Sequence, residues 1–301
     1  MRLYKYLSIL FLGLAIKFWF FQPYIIVSDS MANTLNKGDY IIMNTWEKSL
    51  FGNHKKTLQK NDIIAFHYPL DTGNIKDKTV YINRSIGMPG EWIKIDANQK
   101  KTEIAGLKYD FILKDPYDLL NQDYLLKMGI KQSTKVGEQK WILTLNNTQK
   151  KEIQEWDSTL ELKMILQNKN EFDSSIFPSD PILPWNQDFY GPLYVPKNGD
   201  SILLNVTNIS LYKKIIEEYE NHSIKHENQL FKIDDSFRTH YIFDQDYFFV
   251  AGDNRHHSFD SRHWGFIPED HIISSIAVQV LNMENLSIKE SYKNLKEWIK
   301  N

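Results

Sequence analysis

The chain has 301 residues, with 36 lysines and arginines against 38 aspartates and glutamates, and it contains no cysteine. The formal net charge of −2 gives no electrostatic reason to expect a nucleic-acid partner. The missing cysteines exclude disulfides, thiol catalysis and cysteine-ligated metals. The nine histidines show no H-E-x-x-H spacing, so we expect neither a metal nor another cofactor.

Residues 1–22 predict an N-terminal membrane anchor. Arg2 and Lys5 precede an apolar run, and Lys17 interrupts that run before a cluster of Phe and Trp. As a helix the run would span about 22 Å, which falls short of the ~30 Å hydrocarbon core, but the preceding residues extend it and Lys17 can snorkel. A cleaved secretory signal shares this pattern, yet no small-x-small cleavage site follows. We therefore expect an uncleaved single span, ended by Pro23, with its basic N-terminus on the cytoplasmic side.

Short apolar runs separated by Gly, Pro and Asp turns predict an antiparallel β core over residues 23–104 and 241–282. The strands expected in it are 40–43, 63–68, 79–86, 91–95, 247–250 and 272–281. The predicted fold class is therefore mainly β, with one transmembrane helix in front.

Residues 105–240 differ in pattern and predict an α/β insertion, or cap, within the β core. The elements expected inside it are helices over 117–128, 148–167 and 211–219 and a strand over 201–204. In the second helix, apolar residues recur at 153, 156, 160 and 164, which share one helical face. The last segment, 283–301, predicts a charged C-terminal helix that is too polar to be a second span.

Two polar stretches follow apolar strands of the core. Residues 24–35 run into a turn that carries Ser28 and Ser30, shortly after the expected anchor. Residues 251–265, here called the polar loop, form the densest polar cluster in the chain. A serine at the end of a strand can present its hydroxyl to a groove beside a membrane, although most single serines in turns are structural.

Four segments together resemble the type I signal peptidases of bacteria, which are serine proteases of family S26. They are Ser28-x-Ser30-Met31-x-x-Thr34-Leu35, Gly38-Asp39, Tyr81-Ile82-x-Arg84-x-Ile86-Gly87-x-Pro89-Gly90 and Gly252-Asp253-Asn254-Arg255-x-x-Ser258-x-Asp260-Ser261-Arg262-x-Trp264-Gly265. Their order, their spacing and the preceding anchor match that family. The proline-rich passage 177–196 is similar to the longer insertion of Bacteroidetes members.

The resemblance implies a membrane-bound endopeptidase that removes signal peptides from exported preproteins through an acyl-enzyme on Ser30. The Ser30 backbone N–H and the Ser28 hydroxyl would be the oxyanion donors. Ser258 would orient the catalytic base, and Asp260 and Arg262 would form a supporting ion pair. The implied partners are signal peptides and the lipid bilayer. The implied location is the bacterial inner membrane, with the catalytic domain on the periplasmic side, and the oligomeric state stays open.

The chain departs from the family at the general base. The family lysine belongs to a Tyr-Ile-Lys-Arg motif, and here that position is Asn83. An amide has no lone pair that titrates in the useful range, and loss of general-base catalysis costs about 10²–10⁴-fold in rate. Histidine has an unperturbed pKa of about 6.5, so His256 or His257, beside Ser258, is a possible substitute base. Their other interpretation is loop structure.

Two functions therefore stay open. The chain is either an active signal peptidase, working weakly or with a substitute base, or a catalytically impaired or inactive homologue that binds exported peptides or assists an active paralogue. A secreted β protein without peptidase ancestry is a third interpretation, which a full-length N-terminus retained in the membrane would exclude.

Overall fold

The computed structural model describes residues 21–32, 34–44, 58–98, 107–115, 117–227 and 230–282. The strands within these ranges are β1 Phe21–Ile25, β2 Asp39–Asn44, β3 Ile63–His67, β4 Val80–Gly87, β5 Trp92–Asp96, β6 Tyr109–Lys114, β7 Ser133–Lys135, β8 Lys140–Leu145, β9 Glu161–Met164, β10 Phe189–Tyr194, β11 Ser201–Leu203, β12 Ile224–Glu227, β13 Leu230–Ile233, β14 Ser236–Arg238, β15 His240–Ile242, β16 Tyr247–Ala251, β17 Ile267–Pro268 and β18 Ile272–Asn282. The α-helices are α1 Gln122–Lys127, α2 Asn147–Trp156, α3 Ile209–Lys214 and α4 Ser261–Trp264, and a π-helical turn, Ile215–Tyr219, continues α3.

The central sheet has seven strands in the order β1-β2-β18-β3-β4-β16-β17, and neighbouring strands run antiparallel. The long strand β18 joins its two halves because it pairs with β2 along one part and with β3 along another. This confirms the mainly β fold and the strands expected from the apolar runs.

Both faces of the central sheet are covered. Along β3, Ile64 and Phe66 join one apolar cluster with Val250 and Trp264, whereas the intervening Ala65 lies in a cluster on the other face. Because successive side chains of a strand point to opposite faces, a strand buried on both sides reads as a continuous apolar run. This is why β3 carries no alternating pattern in the sequence.

The insertion contains two cores of different kinds. The sheet β7-β8-β6-β9 packs with α1 and α2 around a core of its own, which includes Leu143 and Ile153. The other core joins Leu193 of β10 to Tyr247 and Phe249 of β16. The part of the insertion around β10 therefore shares a core with the central sheet. The segment between β9 and β10 lies beside the polar loop as a result.

The predicted helix over 148–167 is wrong in its second half. Helix α2 ends at Trp156, and the chain then turns and continues as β9. The Asp157 carboxylate accepts hydrogen bonds from the N–H and the hydroxyl of Thr159, which favours a turn. Leu160 is buried, and the apolar residues at 162 and 164 pack in the same core, so the period of two decided the structure. Helix α1 is also shorter than predicted, since it begins only after its N-cap residue Asn121.

The structure also corrects the C-terminal end of the predicted anchor, residues 1–22. Phe21 and Gln22 belong to β1, and Pro23 pairs opposite Ile42 within that strand and does not end a helix. Proline is tolerated there because β1 is the edge of the sheet. Residues 1–20 and the C-terminal segment 283–301 lie outside the described residues. None of the helices in the described ranges is both long and apolar enough to cross a membrane.

Candidate active site

Ser30 lies in the turn that follows β1. Beyond it, Met31 and Leu35 are buried in the apolar cluster of the central sheet, and the Leu35 N–H donates to the Met31 carbonyl at 2.8 Å. The hydroxyls of Ser28 and Ser30 lie 3.1 Å apart, and either can donate to the other. The proposed nucleophile and the proposed oxyanion hydroxyl are thus neighbours on a turn that the core holds in place.

The polar loop holds this turn from the other side. The Asn254 N–H donates to the Ser30 carbonyl at 2.9 Å, and its side-chain Nδ2 donates to the Asp29 carbonyl at 3.0 Å. Gly252 permits this close approach, because a Cβ at that position would lie 2.5 Å from the Ser30 carbonyl oxygen and 2.2 Å from the Ser258 Oγ. Any other residue at this position would push the turn and the loop apart.

Asn83 reaches the same place from β4. The register that pairs Ala251 with Arg84 sets Gly252 opposite Asn83 at the next step. Because directly opposite residues of an antiparallel pair point to the same face, this register directs the Asn83 side chain to the side of the sheet where Ser258 covers Gly252, although the two side chains are not hydrogen-bonded to each other. Asn83 and Ser258 are both buried, and neither the amide nor the hydroxyl has a hydrogen-bond partner among the described residues. Buried polar groups are normally paired, so Asn83 and Ser258 are exceptions within the described residues.

Two ion pairs fix the polar loop. Arg262 and Asp260 are fully buried, and the Arg262 Nε and Nη2 donate to the two Asp260 oxygens at 2.9 and 2.8 Å. Burial alone would raise the pKa of Asp260, but the charge of Arg262 outweighs it and holds that pKa below its usual range. Arg84 donates in the same bidentate way to Asp253, at 2.7 and 2.6 Å. The loop is therefore tied both to itself and to β4.

His256 is enclosed between two carboxylates. Its Nε2 lies 2.9 Å from Asp188, and its Nδ1 accepts the Asp110 backbone N–H at 3.1 Å in the neutral ring. In the charged ring Nδ1 faces the Asp110 carboxylate, 3.4 Å away. Burial opposes the charged form, but the hydrogen bonds with Asp110 and Asp188 raise the pKa of His256 to about 9. Both ring nitrogens are engaged in either form, which argues against His256 as the base.

His257 borders the site and is half-exposed. Its Nε2 lies 3.1 Å from the Asp110 carboxylate, and that hydrogen bond raises the pKa of His257. The same Asp110 oxygen accepts the Thr144 hydroxyl at 2.6 Å. A histidine whose charged form is stabilised in this way is a poorer proton acceptor at neutral pH.

A groove of about 380 Å³ runs past Ser30. Its apolar walls include Met31, Val80, Ile82 and Phe259, and its polar end is formed by Ser28, Ser30 and His257. Strand β4 pairs with β16 only from Arg84 onward, so in the described part of the chain no strand pairs beside residues 80–82 on that side. An open strand edge beside an apolar groove can accept an extended peptide as an additional strand.

A serine hydroxyl beside an open strand edge and an apolar groove fits a serine peptidase, and the comparison with protein families agrees. The chain belongs to the family described as signal peptidase, peptidase S26, whose match covers residues 2–169 and 195–281. It is thus a signal-peptidase-type serine protease by resemblance.

Several individual proteins similar to this chain are named signal peptidase I. The chain is 25% identical to signal peptidase I of Buchnera aphidicola from Schizaphis graminum, over 87% of this chain and 69% of that protein. It is 26% identical to signal peptidase I of Haemophilus influenzae, over 93% of this chain and 70% of that protein. A probable signal peptidase I-1 of Synechocystis is 31% identical over 36% of this chain and 53% of that protein.

The sequence reasoning missed the residues of the insertion that reach the polar loop. Lys108 forms an isolated parallel bridge with Asn254, and Asp110 and Asp188 hold the two histidines. No local spacing links these residues to a loop so distant in the chain. The one available signal was charge, since a lysine and an aspartate stand at the start of an apolar strand.

Proposed function

We propose that the protein is a membrane-bound endopeptidase that removes signal peptides from exported preproteins, with Ser30 as the nucleophile. The observation that carries the proposal is the Ser30 hydroxyl beside that of Ser28, at the polar end of a groove with an open strand edge. Family membership supplies the substrate class, because several relatives are named signal peptidase I.

The reaction follows from the placement of these groups. The Ser30 oxygen attacks the carbonyl carbon of the scissile peptide bond, the leaving amine departs, and water then hydrolyses the ester on Ser30. The Ser30 N–H makes no hydrogen bond within the described residues, so it can bind the oxyanion together with the Ser28 hydroxyl. Each such donor is worth about 10²–10³-fold in rate.

The substrate lies as an extended strand between β4 and the segment that leads to Ser30. Ile82 and Met31 belong to the apolar lining of the groove that holds the nucleophile, and the resemblance to signal peptidases implies small side chains before the cleaved bond. A residue with a large side chain there would have to displace Met31, which is 1% exposed and fixed in the core.

The groove lies at a lipid surface. Ile25 and Val27 are 51% and 77% exposed, and Phe259 on the polar loop is 51% exposed. Clustered exposed apolar side chains indicate contact with a membrane or a protein, and β1 begins directly after residues 1–20, the predicted anchor. The chain would therefore sit in the bacterial inner membrane, with its N-terminus in the cytoplasm and the groove on the periplasmic side. Release of the full-length protein from membranes by alkaline carbonate would contradict an integral anchor.

A second candidate function is an impaired or inactive homologue that binds exported peptides or assists an active paralogue. The observation that favours it is Asn83, whose amide is buried, unpaired among the described residues and unable to take a proton at neutral pH. Such a protein would still bind peptides in the groove but would not cleave them at a useful rate.

Cleavage of a purified preprotein by the full-length protein in detergent separates the two candidates. The variants are Ser30→Ala, Asn83→Lys and, as a matched control, Ser236→Ala on an exposed strand of the insertion. Cleavage by wild type and by the control, abolished in Ser30→Ala, is the result expected of a peptidase. Cleavage only by Asn83→Lys, with peptide binding retained in wild type, would support the impaired homologue. No cleavage by any variant, with no peptide binding, would contradict both.

The chain also fits a Bacteroidetes-like subtype of the family. Residues 170–194, between the two matched parts, overlap the proline-rich passage 177–196 and pack beside the site. The Gln187 carbonyl in this passage accepts a hydrogen bond from the Arg262 Nη1 at 3.0 Å. The longer insertion thus supports the polar loop directly.

A further inference from the structure

In the proposed peptidase, the position that holds the general-base lysine in the family offers no group that can take the Ser30 proton. Asn83 cannot accept a proton, and both nitrogens of His256 are engaged. The Asp110 carboxylate stabilises the charged form of His257, which makes it a poorer proton acceptor. The amine of Lys78 lies 2.9 Å from the His271 Nε2, and Lys78 is not among the residues that line the groove. A base for Ser30 must therefore come from a segment that the family motifs do not include.

Lys108 is held against the polar loop by its own backbone. Its N–H donates to the Asp253 carbonyl at 2.8 Å, and its carbonyl accepts from the Arg255 N–H at 3.0 Å, which forms a parallel bridge with Asn254. Bridged residues of neighbouring strands present their side chains on the same side. Lys108 therefore extends on the side of the Asn254 side chain, which contacts the Asp29 carbonyl at 3.0 Å. Ser30 follows Asp29 in the chain, and the backbone N–H of the same Asn254 donates to the Ser30 carbonyl.

Charge and burial are consistent with this placement. Lys108 is 4% exposed and is the only lysine in the described residues that is buried. Within those residues its amine forms no salt bridge. Burial lowers the pKa of Lys108, the nearby charge of Lys131 lowers it further, and the Asp29 carboxylate partly opposes them.

The other charged groups packed against this position belong to the polar loop. The negative charge of Asp253 is compensated by the bidentate contact with the Arg84 guanidinium. Arg255 is buried and its Nε has no hydrogen-bond partner among the described residues. The positive charge that favours the neutral amine of Lys108 is that of Lys131, in addition to burial.

We propose that Lys108, which the insertion places beside the Ser30 turn, is the general base of this peptidase in place of the lysine that Asn83 has replaced. This rests on the proposed function. The neutral amine takes the Ser30 hydroxyl proton as the Oγ–C bond forms, and the resulting ammonium gives that proton to the leaving amine as the C–N bond breaks. In the second half, the amine takes a proton from water as water attacks the ester, and the ammonium returns it to the Ser30 oxygen.

The first test is the cleavage rate of Lys108→Met and Lys108→Arg. We expect kcat/KM to fall about 10²–10⁴-fold in both, because Met has no lone pair for the proton and the guanidinium stays protonated. A merely structural or electrostatic role would be rescued by Arg, so a near wild-type rate in Lys108→Arg would overturn the proposal. Lys114→Gln, at an exposed lysine at the end of β6, the strand that follows Lys108, is the matched control. Thermal unfolding of each variant identifies any that fail to fold.

The second test uses the family position. Asn83→Lys supplies an amine at the usual place, so Lys108→Met should cost about tenfold less in that background, since the two bases act on the same proton. An equal loss in both backgrounds would indicate a structural role and overturn the proposal. The third test is the pH profile: Lys131→Gln removes a positive charge near Lys108, so the acid limb of kcat/KM should move to higher pH. An unmoved limb would count against Lys108 as the titrating group.

These outcomes are separable from failure of the proposed function itself. Wild-type cleavage that needs Ser30 but does not respond to Lys108 substitutions would overturn only the assignment of the base. A wild-type protein that does not cleave, while Asn83→Lys does, would overturn both, because Lys108 would then supply no base.

Discussion

Removal of the Arg262 guanidinium should cost more stability than any other single change near the site. Arg262 and Asp260 are fully buried. In Arg262→Met the Asp260 carboxylate keeps only backbone donors, from Gly252 at 2.9 Å and from residue 262 itself at 3.1 Å. The carbonyls of Gln187 and Arg255 also lose the donors that now lie 3.0 and 2.7 Å away.

The expected loss follows from these contacts. Breaking a buried ion pair by removing one partner costs about 3–5 kcal/mol, and each buried carbonyl left without a donor adds about 1 kcal/mol. The free energy of unfolding should therefore fall by about 5 kcal/mol at neutral pH. At acidic pH the loss should shrink, because the unpaired Asp260 can then be protonated at little cost.

The assay is denaturant unfolding of the full-length protein in detergent micelles, followed by tryptophan fluorescence. Arg238→Met, at an exposed arginine of β14, is the control and should cost less than about 1 kcal/mol. The double variant Arg262→Met with Asp260→Asn should be more stable than Arg262→Met alone, because no buried charge is left. If Arg262→Met lost no more than the control, or if the double variant lost the sum of both single changes, the reasoning about an uncompensated buried charge would be refuted.

Two further predictions concern pH and packing. The pKa of His256, about 9, lies above its ordinary value of about 6.5, so its contribution to stability is complete below pH 6.5 and disappears as the pH rises through about 9. Unfolding measured between these pH values should show a loss of up to about 3 kcal/mol that His256→Gln abolishes; an identical pH profile in both proteins would contradict this. Gly252→Ala should lower kcat/KM about 10²-fold, because the new Cβ would displace Ser258 and the Ser30 turn. Gly87→Ala, whose Cβ would meet only side chains such as Ile93 at 2.7 Å, should destabilise the fold without this effect on the folded enzyme, and equal losses of activity would speak against the packing argument.

Much of the β core could be predicted from the sequence because its signals are local. The apolar runs of β3, β4, β16 and β18 are bounded by Gly, Pro and Asp turns, and the structure has strands at each of them. The family motifs also pointed to Ser28, Ser30 and the polar loop, and the structure brings that turn and that loop into contact.

Local patterns failed where two periods competed. Residues 160–164 carry apolar side chains that satisfy a helical face together with 153 and 156, yet they also alternate as in a strand. The strand formed because β6 offers a pairing edge and a core that partly buries every second side chain of β9. Only packing against a distant segment could decide between the two interpretations.

What the sequence determined by itself is the set of candidate residues: the serines of the turn, Asn83, and Asp260 with Arg262 in the polar loop. What the tertiary structure alone decided is which of them meet. The register between β4 and β16 ends with Ala251 opposite Arg84, so that Asn83 and Gly252 follow at the same end of the pair, and the bridge joins Lys108 to Asn254, whose N–H binds the Ser30 carbonyl. The physical reason is that register, burial and the resulting charge equilibria depend on segments far apart in the chain, which no local spacing records.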